Sequence, residues 1–270
     1  MKLINLRKEL KSTFKDNEID EADVDFIICE ILDVKRTDLT LIDDVDDKQE
    51  KTIREKCELR LQGKPVDKIF NKAYFYGLEF IVNENVLTPR PESELLIDKA
   101  LELIKENNFT NVLDMCTGSG CLAVAVKKNV DVEVTAVDIS AKALDIAKQN
   151  ANKNEADIKF IRSNMFEKVD GTFDVIISNP PYIDSDEVME LDDEVKNHDP
   201  ILALDGGALG LKFYNILHDN IKKYLNNSGF MILEIGNEQK DMILNLFVDC
   251  HFVECIKDYS GHDRIMVFKK

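Results

Sequence analysis

The chain has 270 residues, 44% of them hydrophobic, with 11 glycines and 6 prolines, which is the composition of a folded globular protein and excludes a disordered one. No apolar run approaches the roughly 20 residues of a membrane span, and Met1-Lys2-Leu3-Ile4-Asn5-Leu6-Arg7-Lys8 is charged too early for a secretory signal, so a cytoplasmic protein with no membrane partner is expected. A formal net charge of −17 sets up a field that repels phosphate backbones, so direct nucleic-acid binding is not expected.

Residues 1–72 read as a small helical bundle. Leu3, Leu6 and Leu10 form one apolar stripe, and Asp20 is placed to cap a second helix carrying Phe26, Ile27, Cys29 and Ile31. A short turn starts at Thr37. Ile53, Cys57 and Leu61 then recur every four residues along a charged helix, closed by Gly63 and Pro65. Over 73–90 the pattern changes to Tyr74, Tyr76, Phe80, Val82 and Val86 around Gly77 and Asn83-Glu84-Asn85, a β-hairpin expected to link two domains. Pro89-Arg90-Pro91 follows, a stiff segment that a plain linker would also explain.

The remainder, 91–270, alternates. A helix through Ile104 precedes strands at 111–115, 133–137, 159–161 and 173–178, with helices starting at Gly120 and Ser140. Beyond these come a helix through Phe213 and Ile221, a strand at 230–233, a helix to Phe247 and two short strands at 252–256 and 265–268. Such alternation gives a doubly wound, mostly parallel sheet. The six cysteines sit largely in apolar stretches with no Cys-x2-Cys pair, and the four histidines show no ligand spacing with them, so free thiols and no metal are expected.

Three strand ends carry the chemistry. Val112-Leu113-Asp114-Met115 runs into Cys116-Thr117-Gly118-Ser119-Gly120, where glycines let a ligand approach the backbone and the following helix offers free N–H groups. Asp138 ends the next strand, placed to accept hydrogen bonds from the two ribose hydroxyls of a nucleoside cofactor. Asp174-Val175-Ile176-Ile177 leads into Ser178-Asn179-Pro180-Pro181-Tyr182-Ile183. Two prolines cannot continue a ladder, so the strand stops at Asn179 and leaves its side chain at the carboxyl end of the sheet. An Asn side-chain oxygen and a stiff backbone carbonyl beside an aromatic ring suit a planar –NH2 group, such as an amide or a nucleobase amine.

Asp-x-x-Thr-Gly-Ser-Gly, then Asp138, then Asn179-Pro180-Pro181-Tyr182, in that order, resembles the class I S-adenosylmethionine-dependent methyltransferases. The resemblance is closer to the protein-(glutamine-N5) methyltransferases that modify peptide chain release factors. It is carried by Phe75-Tyr76-Gly77, Leu87-Thr88-Pro89-Arg90-Pro91-Glu92-Ser93-Glu94, His198-Asp199-Pro200, Leu233-Glu234-Ile235-Gly236 and Asp258 with Gly261-His262-Asp263-Arg264. It implies a Rossmann-like, mostly parallel seven-stranded sheet over 91–270, a linking hairpin over 73–90, and a helical domain over 1–72 that helps hold the release factor. It further implies that Cys116, Thr117, Gly118, Ser119 and Gly120 line the methionine end of S-adenosylmethionine, that Asp138 binds its ribose, and that Asn164 and Met165 contact the adenine. Asn179 and Pro180 are then the acceptors for the substrate amide, with Pro181 and Tyr182 beside them.

Cys116 stands where the family usually has glycine, Asn164 where it has an acid and Met165 where it has an aromatic, departures that bear on cofactor affinity. Three alternatives remain open on sequence alone. The same motif suits an adenine-N6 methyltransferase acting on a flipped base, a glutamine methyltransferase for a ribosomal protein, or a methyltransferase fold that binds without reacting.

Overall fold

The computed structural model describes residues 1–270 as two compact units. One comprises Met1–Lys72 with Asp193–His198, the other Ala73–Asp192 with Asp199–Lys270.

In the smaller unit, helices α1 (Leu3–Asp16), α2 (Ala22–Leu32), α3 (Asp47–Leu61) and α4 (Val66–Phe70) enclose Leu3, Leu6, Leu10, Phe14, Val24, Ile27, Ile28, Ile53 and Cys57. Asp20 Oδ1 accepts the Ala22 N–H at 2.8 Å, but it stands one residue before the cap position of α2, which is Glu21 and makes no side-chain capping bond. A reciprocal capping box between Asp46 and Gln49 starts α3. Inside the bundle Asp25 is fully buried, with Arg7 at 2.6 Å, Lys11 at 2.9 Å and Arg36 at 3.4 Å around its carboxylate. Arg60 bonds Asp23 at 2.6 Å and Glu194 at 3.0 Å, which ties the short helix Asp193–His198 into this unit. Sequence order hides that membership, because the segment lies far downstream of the bundle.

The larger unit opens with a two-stranded hairpin, β1 (Lys72–Phe75) and β2 (Leu78–Ile81), and helix α5 (Glu94–Asn107). Then come β3 (Asn111–Met115), α6 (Cys121–Asn129), β4 (Glu133–Asp138), α7 (Ala141–Lys153), β5 (Lys159–Arg162) and β6 (Phe173–Ser178). Helix α8 is the Asp193–His198 segment already described. The chain ends with α9 (Lys212–Tyr224), β7 (Leu225–Glu234), α10 (Lys240–Leu246), β8 (His251–Lys257) and β9 (Asp263–Lys269).

Seven strands form one sheet in the order β5-β4-β3-β6-β7-β9-β8. The first five are parallel, with helices in every crossover but that from β5 to β6, while β9 runs antiparallel to both its neighbours, β7 and β8. The short connection from β8 to β9 leaves room for nothing else. The central strands are apolar on both faces, as a sheet covered by helices on each side requires: Val112, Val134, Val175 and Ile232 pack in one layer, and Leu113, Val137, Ile176 and Met231 in the other.

The hairpin is more than a linker. Phe75 and Phe80 are buried in the core layer that holds α5 and α6. Asn150 of α7 accepts the Ile81 N–H at 2.6 Å and donates to both Ile81 O and Ser119 O, at 3.0 and 2.9 Å. One buried amide therefore joins the hairpin to the loop after β3.

The order of strands reverses about β3: β4 and β5 lie to one side, β6 and β7 to the other. Ligands bind such sheets at the carboxyl ends of strands flanking that reversal. The loops after β3, β4 and β6 all open there.

Candidate functional site

At that edge a cavity is walled by Cys116, Thr117, Gly118 and Ser119 after β3, Asp138 after β4, Asn164 and Met165 after β5, and Asn179 and Pro181 after β6. Thr88, Arg90 and Ser93 close it from the segment preceding α5, Leu202 from the long connection between β6 and α9, and Phe213 from the first turn of α9.

The loop after β3 is held from beneath. Asp114 is completely buried, and its Oδ2 accepts the Thr117 hydroxyl at 2.5 Å and the Ala123 N–H at 3.2 Å. Burial drives its pKa up to about 7, against the pull of those two donors. Cys116 adopts φ +65°, a left-handed conformation suited to glycine, and its Sγ lies 3.7 Å from Met165 Sδ. Two of the departures from the family pattern are therefore in contact, on the same wall.

Asp138 bridges two loops. Its Oδ2 accepts the Gly118 N–H at 2.9 Å and its Oδ1 the Ser140 N–H at 2.8 Å. A carboxylate has about four acceptor sites, so acceptor capacity is left for a ligand hydroxyl. Burial raises its pKa, and the backbone donors Ser140, Gly118 and Ile139 oppose that rise.

At the end of β6, Asn179 Nδ2 donates to Ser93 Oγ at 3.3 Å, and Ser93 Oγ donates to Glu234 Oε2 at 2.5 Å. Glu234 ends β7, beside Asn179, because Ser178 and Leu233 are register partners. No donor of the chain bonds Asn179 Oδ1 or the Pro180 carbonyl. The turn itself is clamped. Gln239 Nε2 donates to Tyr182 O at 2.8 Å, and a Cβ on Gly210 would lie 1.9 Å from that oxygen.

Three expected site residues lie off the cavity wall. Gly120 faces the helix behind it: a Cβ there would sit 3.0 Å from Ala147 Cβ and 3.2 Å from Ala147 Cα. At φ +80° it is a position of close packing, where only glycine fits. Pro180 is buried in the turn, and the half-buried Tyr182 ring packs against the apolar layer under β6 and β7, next to Gly236. Burial pushes the Tyr182 phenol up to about 12. Sequence reading passed over Ser93, Glu234 and Thr88. An acid closing an apolar strand, in Leu233-Glu234-Ile235-Gly236, was the available signal for the second.

Elsewhere His218, Asp249 and Cys250 bring potential ligand atoms within 4.8 Å of one another, a grouping that sequence spacing did not show. Asp249 is already bonded by both His218 and Lys222.

Residues 5–70 match the family described as PrmC N-terminal domain, and residues 92–198 match Methyltransferase small domain. A release factor glutamine methyltransferase from Thermodesulfovibrio yellowstonii is 38% identical over 281 aligned positions, covering 100% of this chain and 99% of the relative. The chain belongs to the release factor glutamine methyltransferase family. A second member, from Agrobacterium fabrum, is 40% identical over 79% of this chain and 77% of its own length. A methyltransferase structure from Pyrococcus furiosus shares the fold, with a TM-score of 0.56 and 21% identity over 80% of this chain and 98% of that one. No helix is long and apolar enough to cross a membrane.

The cavity's donor set fits the S-adenosylmethionine that this family resemblance implies. Asp138 offers acceptors for ribose hydroxyls. A Cβ on Gly118 would meet no protein atom within 4 Å, so the backbone there is open to a close ligand. Thr88, also on the wall, carries a buried hydroxyl with no partner within the chain, a group that a polar ligand would satisfy.

Proposed function

We propose that this chain methylates the side-chain amide nitrogen of the glutamine in the Gly-Gly-Gln motif of peptide chain release factors. The observation that carries the reading is the state of Asn179, a residue of the cavity wall: its –NH2 is tied to Ser93 while its oxygen is unbonded, as is the Pro180 carbonyl next in the chain. S-adenosylmethionine, when bound, supplies an electrophilic methyl group.

The chain's own residues do the rest. An amide nitrogen is a poor nucleophile because its lone pair is delocalised into the carbonyl. Asn179 Oδ1 and Pro180 O accept its two N–H bonds, which orients the nitrogen and favours charge developing on it. Asp138 holds the ribose, and Cys116, Thr117, Gly118 and Ser119 face the methionine end. Asn164, whose Nδ2 is held by Glu167 at 2.7 Å, and Met165 border the adenine. Pro181 and the apolar Leu202 and Phe213 exclude water from the reacting centre. The helical unit, 1–72, serves as the surface that helps hold the release factor, and the net charge of −17 supports a protein rather than a nucleic-acid partner.

Asn179→Ala tests the assignment. The catalytic rate falls by about 10²–10³, the usual effect of removing one aligned polar group, while cofactor affinity measured by calorimetry stays close to wild type. Equal losses in both would remove Asn179 from the role.

A further inference from the structure

A hydroxyl carries one proton. Ser93 gives its proton to Glu234, at 2.5 Å, so toward Asn179 it can present only lone pairs. Asn179 must therefore turn its –NH2 toward Ser93, and the amide helps to hold the charged form of Glu234. The amide oxygen is left for the cavity. All three groups are anchored: Glu234 is 2% exposed at the end of β7, Ser93 is 3% exposed at the start of α5, and Asn179 is fixed by the prolines after it.

We propose that Glu234 and Ser93 are positioning residues, which set the direction of the Asn179 side-chain amide and so decide whether its oxygen can receive the substrate N–H. This rests on the function proposed above. The device depends on one proton. Ionised Glu234 can only accept, and the chain of bonds runs Asn179 N–H to Ser93 O–H to Glu234. Once protonated, the carboxyl can donate to Ser93 Oγ. The Ser93 O–H is then free to donate to Asn179 Oδ1, the amide turns over, and an –NH2 faces the cavity where an acceptor is needed.

Burial pushes the Glu234 carboxyl up to about 7, with Glu92 adding to the rise and Ser93, Arg264 and Asn179 opposing it. The other titratable groups facing it are Tyr182 after β6, Tyr214 on α9 and Cys121 at the start of α6. Burial raises the pKa of each of these three, so they are neutral near pH 7 and leave Glu234 to set the transition. A raised carboxyl pKa places the competent, ionised form above the transition and the reversed form below it.

The test uses the full chain labelled with 15N-asparagine, as wild type, Glu234→Gln and Ser93→Ala. The Asn179 side-chain signals are assigned by their loss in Asn179→Ala. Without any substrate, the wild-type –NH2 pair shifts in a single-proton step near pH 7. In Glu234→Gln that step disappears; in Ser93→Ala it is weakened because the link to Glu234 is cut, and solvent exchange of the pair accelerates by at least about tenfold as its bond to Ser93 is lost. With a release factor, both variants lose at least about tenfold in kcat, with unchanged cofactor affinity. The wild-type fall in kcat below pH 7 is absent from Glu234→Gln. An Asn179 amide that titrates and exchanges identically in all three proteins overturns the positioning role, whatever the turnover. A wild-type amide that behaves as stated, in a protein that methylates no release factor, removes the proposed function and leaves the positioning role standing.

Discussion

Gly118 and Gly120 lie two residues apart in one loop, and alanine at each should fail in opposite ways. At Gly120 the new Cβ meets Ala147 Cβ at 3.0 Å and its Cα at 3.2 Å, in a backbone held at φ +80°. The left-handed conformation costs about 1–2 kcal/mol for a residue with a Cβ, and forcing a methyl into a packed contact costs about 1–3 kcal/mol more. Gly120→Ala should therefore lose about 2–5 kcal/mol of stability, at about 2–4 °C of Tm per kcal/mol for a unit of this size. At Gly118, φ is +54° and a Cβ meets nothing within 4 Å, so only the conformational cost applies. Cys116, in the same loop at φ +65°, shows that the backbone here tolerates a side chain. The added methyl instead narrows the approach to the Gly118 backbone on the cavity wall, weakening cofactor binding by at least about tenfold, or 1.4 kcal/mol. Thermal denaturation and titration calorimetry on the two variants separate the effects. If Gly120→Ala were as stable as Gly118→Ala, or if Gly118→Ala bound cofactor normally, the division of the loop into a packing glycine and a ligand glycine would be refuted.

Asp138→Ala should raise the cofactor Kd by about 100-fold, read by calorimetry, since it removes a charged acceptor of the kind worth about 1.5–3 kcal/mol per hydrogen bond; Tm should fall as well, because the bonds to the Gly118 and Ser140 N–H groups go with it. In the helical unit, Asp25→Ala leaves Arg7, Lys11 and Arg36 facing one another without their common anion and should cost about 3–5 kcal/mol, read as an earlier urea transition of that unit. Burial pushes the Asp25 carboxyl up, but Arg7 and Lys11 outweigh burial and hold it below the ordinary carboxylate value of 3.8. Its contribution is therefore fully present above that value and fades as pH falls through the lowered one. Acid titration of helical circular dichroism should show this loss in wild type and not in Asp25→Ala.

What could be read from the chain alone was whatever local rules dictate. Two prolines after an apolar run force β6 to stop at Asn179, and an acid ending a strand before Ser140, the cap of α7, marks Asp138. The alternation of strands and helices gives the sheet, with most strand ends within a residue, though β7 starts at Leu225, five residues before the expected 230. What escaped depends on contacts distant in sequence. Gly120 looks like its neighbour Gly118 until Ala147 is placed behind it. Ser93 and Glu234 are 141 residues apart, and neither segment alone shows that the acid is buried against the serine. The short helix Asp193–His198 belongs with the first 72 residues through Arg60 and Glu194, a pair 134 residues apart. Tyr182 reads as an aromatic beside the substrate, and its contact with Gly236 and the apolar layer under β6 and β7 is visible only in the fold.

The most direct measurement is transfer of labelled methyl from S-adenosylmethionine to a purified release factor, with its Gly-Gly-Gln glutamine intact or replaced. Label on the intact factor alone is the predicted result, and it should disappear with Asn179→Ala. Label on neither factor, or on both equally, would contradict the account.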